Sequence, residues 1–184
     1  MAGVVGGELA RRLSLQREGN DILGTTRDLT APRALYVKEQ IGEEVDLIEL
    51  DDSNFQSLKK LVEQSQVVYH LSAWARIGKK PPREEILALN VGKTALVTFL
   101  SQQLGKRLVF PSSTAGYLLN QNQDKVQTED GLELSPEVEL FVGETQQAFT
   151  QFVAAGKVRN FNDLIEFSKY FLARNAWPQV SDDY

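Results

Sequence analysis

The stretch Arg107-Leu108-Val109-Phe110-Pro111-Ser112-Ser113-Thr114-Ala115-Gly116-Tyr117 reads as a short buried strand that runs into a hydroxyl-rich turn. Basic residues precede it, mostly apolar residues form it, and Pro111 stops it. Open α/β sheets hold their ligands in the crevice outside the carboxyl ends of their strands, which makes this strand end a candidate binding edge. Alone, the same stretch reads better as a polar strand cap. Its context decides, because other stretches fit the same architecture in the right order.

Upstream, Val67-Val68-Tyr69-His70-Leu71-Ser72 is a near-continuous apolar run, the pattern of a strand buried on both faces of a parallel sheet. Between the two, a long helix is expected from Glu84 to Leu104, with Ile86, Leu89, Ala95, Leu96, Phe99 and Leu100 facing the sheet. Further back, Asp21 to Arg27 reads as a strand, Pro32 to Gly42 as a short helix and Val45 to Leu50 as a strand closed by Asp51-Asp52. Phe55, Leu58, Leu61 and Val62 give a helix its apolar stripe. The amino end, Met1-Ala2-Gly3-Val4-Val5-Gly6-Gly7-Glu8-Leu9, passes from a glycine turn into a helix whose Val5, Leu9 and Leu13 share a face. Strands alternating with helices call for an α/β parallel sheet wound in the right-handed sense.

Downstream, residues 120–134 are polar and turn-rich, an exposed loop near the crevice. Val138, Phe141, Val142, Phe149, Phe152 and Val153 mark an amphipathic helix that Gly156 ends. Phe161, Leu164, Ile165, Ser168, Phe171 and Leu172 mark a last helix before a polar tail. The expected organisation is one α/β domain over residues 1–156, then a C-terminal helix and tail over 157–184.

Composition narrows the functions. The 184 residues carry a net charge of −5 with both signs spread along the chain, which argues against nucleic acid or an anionic membrane as partner. The absence of cysteine excludes disulfides and thiolate metal sites, and His70, the single histidine, cannot build a histidine metal site alone. No apolar run approaches the roughly 18–20 residues that span a bilayer. No secretory signal opens the chain. The expected location is the cytoplasm or an organelle interior.

Several stretches together resemble the extended short-chain dehydrogenase/reductase family, the group containing NAD-dependent sugar epimerases and dehydratases. Gly3-Val4-Val5-Gly6-Gly7-Glu8-Leu9 resembles the end of its glycine fingerprint, and Asp51 its acidic residue near the adenine. Tyr69-His70-Leu71-Ser72-Ala73 is similar to its His-Leu-Ala-Ala segment. Asn90-Val91-Gly92-Lys93-Thr94 resembles its Asn-Val-x-Gly-Thr motif with the glycine one place early, and Ser112-Ser113-Thr114-Ala115-Gly116-Tyr117 its Ser-Ser-x-x-x-Tyr motif. The resemblance implies a doubly wound, Rossmann-like parallel sheet that binds NAD or NADP. It implies cofactor contacts from Gly3, Gly6, Arg27, Asp51, Ser72, Ala73 and Ser112, with Ser113 polarising a substrate oxygen and Asn90 tying helix to strand. Arg27 stands where an acidic residue would hold the ribose of NAD, so it either pairs with a 2′-phosphate and favours NADP or is a plain strand-end charge. His70 reads as a packed strand histidine.

The departures are as informative. The family's chemistry uses a Tyr and a Lys four residues later, with the Lys lowering the Tyr pKa. Here the corresponding place reads Phe141-Val142-Gly143-Glu144-Thr145. Tyr170 has Arg174 four residues on but lies too far downstream, which leaves Tyr117 and Tyr170 as the phenols to examine. The fingerprint's first strand and first glycine are missing, as is most of the substrate half. The fold expected is therefore truncated at strand one, with another segment or a second chain completing the sheet. Three functions follow as alternatives. One is a non-catalytic structural or assembly subunit, another a fragment of an active epimerase, dehydratase or reductase. The third is a small ligand-binding module using the old crevice.

Overall fold

The computed structural model describes residues 4–15, 21–41, 45–50, 54–74, 81–111 and 136–176. Helix α1 spans Val4–Leu15, strand β1 Ile22–Thr26, helix α2 Pro32–Ile41 and strand β2 Val45–Glu49. Helix α3 covers Phe55–Gln64 and strand β3 Val67–Tyr69. Helix α4, Arg83–Leu87, continues through a π-helical turn at Ala88–Gly92 into α5, Lys93–Gln103. Strand β4, Arg107–Val109, is followed by α6, Pro136–Ala154, and α7, Phe161–Arg174. The molecule is an α/β protein with a Rossmann-like order of elements.

The strands form two parallel pairs. Ile22 to Thr26 of β1 lie in register with Val45 to Glu49 of β2, and Val67 to Tyr69 of β3 with Arg107 to Val109 of β4. Each pair runs past its formal ends, because Leu50 N–H donates to Thr26 O (2.7 Å) and His70 N–H to Val109 O (3.0 Å). Among the described residues β1 and β3 are not paired with each other. The place expected for strand one, between these two edges, is therefore not closed by direct pairing.

Two cores follow from this division. Helices α3 to α7 close over β3 and β4 around Phe55, Leu58, Val62, Leu96, Phe149 and Leu164. Asn54 starts α3 by accepting Gln56 N–H on Oδ1 (2.9 Å), and Asn160 starts α7 by accepting Asp163 N–H (3.0 Å). Gly156, at φ 68°, adopts the left-handed conformation that ends α6. The link between α6 and α7 is tied back to α3, since Phe55 N–H donates to Arg159 O (2.8 Å). Among the described residues the second core is small: Ala10 of α1, Val37 of α2 and Val45 of β2, with Ile22 against them.

Three expectations need correcting. The buried face of α1 carries Gly6 and Ala10, while Val5 is 66% exposed. Small residues win here because α1 lies tight on α2, where a side-chain carbon on Gly7 would stand 3.2 Å from Val37 Cγ2. Strand β3 is covered on one face: Val68 packs against the larger core, but Val67 and Tyr69 are 37% and 40% exposed. The helix from Glu84 to Leu104 is interrupted by the π turn, and it also buries Leu87, Ala88 and Val97, because α6 and α7 pack around it.

Candidate functional site

The carboxyl ends of β3 and β4 bring together residues 70–74, residues 110–111 and the π turn. Gly92 lets this turn approach its neighbours. A side-chain carbon there would lie 2.8 Å from Phe149 Cε1 and 3.1 Å from Leu164 Cδ2, below ordinary contact. A π turn adds one residue to a helical turn and such turns recur at functional sites. The wide turn is closed by Lys93 N–H donating to Ala88 O, and it carries Asn90 in its middle.

Asn90 holds the chain that leaves β3. Its Oδ1 accepts Trp74 N–H (2.7 Å) and its Nδ2 donates to Trp74 O (3.1 Å), so both backbone groups of Trp74 are satisfied by one side chain. One turn on, Thr94 Oγ1 donates to Asn90 O (2.8 Å) and lies 3.0 Å from His70 Nε2. The His70 ring is buried and stacks on Phe110, with centroids 5.8 Å apart and planes at 19°. Burial, and after it the charge of Lys93, push the His70 pKa down to about 4. At neutral pH the ring is uncharged. Between these anchors Ser72 and Ala73 are exposed.

At the other strand pair, Gly6 is buried near the start of α1 and Arg27 is exposed just beyond β1. The turn after Arg27 is well bonded. Asp28 Oδ1 accepts both the N–H (2.7 Å) and the hydroxyl (2.6 Å) of Thr30, and Glu49 Oε2 accepts Leu29 N–H (3.2 Å). The Thr30 hydroxyl and N–H hold the Asp28 carboxyl below the usual carboxylate range.

On α6, Phe141 packs edge-on against Phe171 at 5.8 Å, and Thr145 is 2% exposed with its hydroxyl donating to Phe141 O (2.6 Å). Tyr170 stands on the outer face of α7 with the Arg174 guanidinium 4.3 Å over its ring. Gly3, Asp51, Ser112, Ser113 and Tyr117 lie outside the described residues. Of the expected site residues, the structure therefore brings Asn90 beside the segment that carries Ser72 and Ala73, at the carboxyl end of β3, with Gly6 and Arg27 at the other strand pair. Two partners were not singled out from the sequence. Thr94 could have been found, four residues after Asn90 on the same helical face; Trp74 carries no such signal.

Among the described residues no group of three or more His, Asp or Glu side chains could hold a metal ion, and no helix is long and apolar enough to cross a membrane. A family model described as the NAD dependent epimerase/dehydratase family matches residues 1–138. No curated protein matches the chain.

Proposed function

The chain belongs to the NAD dependent epimerase/dehydratase family, and on that premise we propose that it binds a dinucleotide and serves as a non-catalytic structural or assembly subunit. The observation that carries this reading is the state of α6. Phe141 and Thr145 occupy the two positions where the resemblance puts a base and its tuning cation; Phe141 packs on the apolar core, and Thr145 is buried with its hydroxyl donated to Phe141 O. Neither can take a proton from a substrate hydroxyl, and general acid–base catalysis is worth about 10²–10⁴-fold.

The same proposal covers the finer points of the site. Gly3, Gly6, Asp51, Ser72, Ala73 and Ser112 contact the cofactor, with Ser113 beside any bound carbonyl or hydroxyl, in a unit over residues 1–156 that α7 and the tail extend. Arg27 makes NADP the preferred cofactor. In support, Arg27 is exposed just beyond β1. A protein partner or second chain completes the sheet between β1 and β3; among the described residues the two parallel pairs do not pair with each other, which favours this.

The deciding experiment is a single-turnover assay following nicotinamide absorbance with a panel of nucleotide sugars and ketones. No turnover above background is expected. Clear turnover abolished by Ser113→Ala would overturn the non-catalytic reading and establish the second one, an active epimerase, dehydratase or reductase of which these residues are part. That second reading draws on the family match, which runs through the Ser112–Tyr117 stretch. For cofactor choice, calorimetry should find NADP(H) bound more tightly than NAD(H), with the order reversed by Arg27→Asp. Equal affinities unmoved by the substitution would reduce Arg27 to a strand-end charge.

A further inference from the structure

Ser72 and Ala73 are exposed, yet the residues on either side of them are fastened to one stretch of helix. On one side His70 is held by its backbone on Val109 and by its ring at Thr94. On the other, Trp74 is held by both of its backbone groups at Asn90. Asn90 and Thr94 are themselves joined, through the Thr94 hydroxyl and Asn90 O. The result is a short strap whose two ends are pinned four residues apart on the same helix.

Proton counting fixes the direction of these bonds. A threonine hydroxyl has one proton, and here it is donated to Asn90 O at 2.8 Å. Toward His70 the same oxygen can then only accept, so the ring carries its proton on Nε2. An apolar side chain would suit this buried position at a lower desolvation cost. What a histidine adds is a donor aimed at Thr94; the depressed pKa keeps that ring neutral at neutral pH, and the bond to Thr94 selects its tautomer.

We propose that His70 is a positioning residue: acting through Thr94 and the Asn90 turn, it holds the 71–74 strap so that Ser72 and Ala73 meet a bound dinucleotide in one preset conformation. Ordering a loop on binding costs affinity, and a strap ordered beforehand avoids that cost. The role rests on the dinucleotide-binding reading above, but its test does not depend wholly on it.

With one histidine in the chain, a nitrogen-edited NMR spectrum of the unmodified protein reads a single ring, and it should show the proton on Nε2 at neutral pH. Thr94→Val preserves shape and removes the hydroxyl. It should speed amide exchange at Trp74 by about tenfold and weaken NADP(H) binding by a similar factor, the scale of one hydrogen bond. Thr94→Ser should restore both to within about threefold of the parent, a rescue by the hydroxyl alone. His70→Phe keeps an aromatic ring beside Phe110 while deleting the donor, and should behave like Thr94→Val. A ring protonated on Nδ1 would overturn the proposal even if no variant folds. So would a folded Thr94→Val whose Trp74 exchange matches the parent. If the parent binds no dinucleotide, the proposed function fails, while the tautomer and the Trp74 exchange still decide the positioning role.

Discussion

The half of the molecule built on β3 and β4 buries Leu96, Phe149, Leu164 and Phe171 in one continuous cluster, whereas the half built on β1 and β2 closes on Ala10, Val37 and Val45 with Ile22 beside them. Each half has one parallel strand pair, and helices pack on both. The difference lies in what the helices bring. Helices α3, α5, α6 and α7 contribute large apolar side chains from several directions. Helix α1 contributes Gly6 and Ala10, which allow close approach but remove little surface from water. A two-stranded sheet is marginal by itself. The lesson is that the same strand geometry is secure or precarious according to the side chains on the covering helices.

The largest effect should come from the centre of the stronger half. Phe149 is fully buried, touches the Gly92 turn and stacks edge-on with Phe167 at 4.9 Å. Phe149→Ala should cost about 3–5 kcal/mol, seen in denaturant titration as the loss of most of the stability of the α3–α7 half. A loss below about 1 kcal/mol would mean that this cluster does not carry the half.

Next in size is a pH effect, which should also belong to the β3–β4 half. The folded pKa of His70 is lowered from 6.5 to about 4, so between these values the unfolded chain binds a proton that the folded chain does not. The full contribution is present above pH 6.5 and is lost as the pH falls to about 4, by on the order of 3 kcal/mol. The carboxylates held below their usual range, Glu8 by Arg11 and Arg12, Asp28 by Thr30 and Asp163 by Arg159, begin to lose their contribution as the pH falls below about 5. The upper part of that window, from pH 6.5 down to about 5, is thus diagnostic for His70, and stability measured across it should become flat in His70→Phe.

The smallest effect sharpens the comparison most. Val37→Ala deletes two buried methyl groups and should cost about 1–2 kcal/mol. Hydrogen exchange should show the loss confined to amides of β1 and β2, with those of β3 and β4 unmoved. Equal acceleration in both pairs would break the division and make the two halves one cooperative unit.

How much of this could be read from the sequence varied with the kind of signal. Strand and helix positions were legible because apolar periodicity and the marks of Pro32, Gly42 and Gly156 are local. The buried face of α1 was not legible, because Val5, Leu9 and Leu13 make a stronger apolar pattern than Gly6 and Ala10, and only the neighbouring helix decides which face is used. The one-sided cover of β3 was invisible for a similar reason: Val67 and Tyr69 are apolar whether or not something packs on them. In the site, Asn90 was legible from its motif, and the Phe141 and Thr145 departures from their spacing. Its partners were not, since Trp74 offers a backbone rather than a side chain. The π turn was also hidden, because Ala88 to Gly92 has no residue that marks a widened turn.

That turn gives the chain an unusual response to a change in length. A regular α-helix advances by about 100° per residue, and the π turn absorbs one extra residue without breaking the helix. Removing a single residue between Ala88 and Gly92 would let α4 and α5 join as one uniform helix. Because the turn has already taken up that residue, the helix on either side would keep its phase, with Leu87 and Ala88 in the core and Thr94 beside His70. The same deletion in a regular helix would turn one end by about 100° against the other. Here the change would be confined to the turn that carries Asn90, which makes the bulge a place where the chain can lose a residue without losing its alignment.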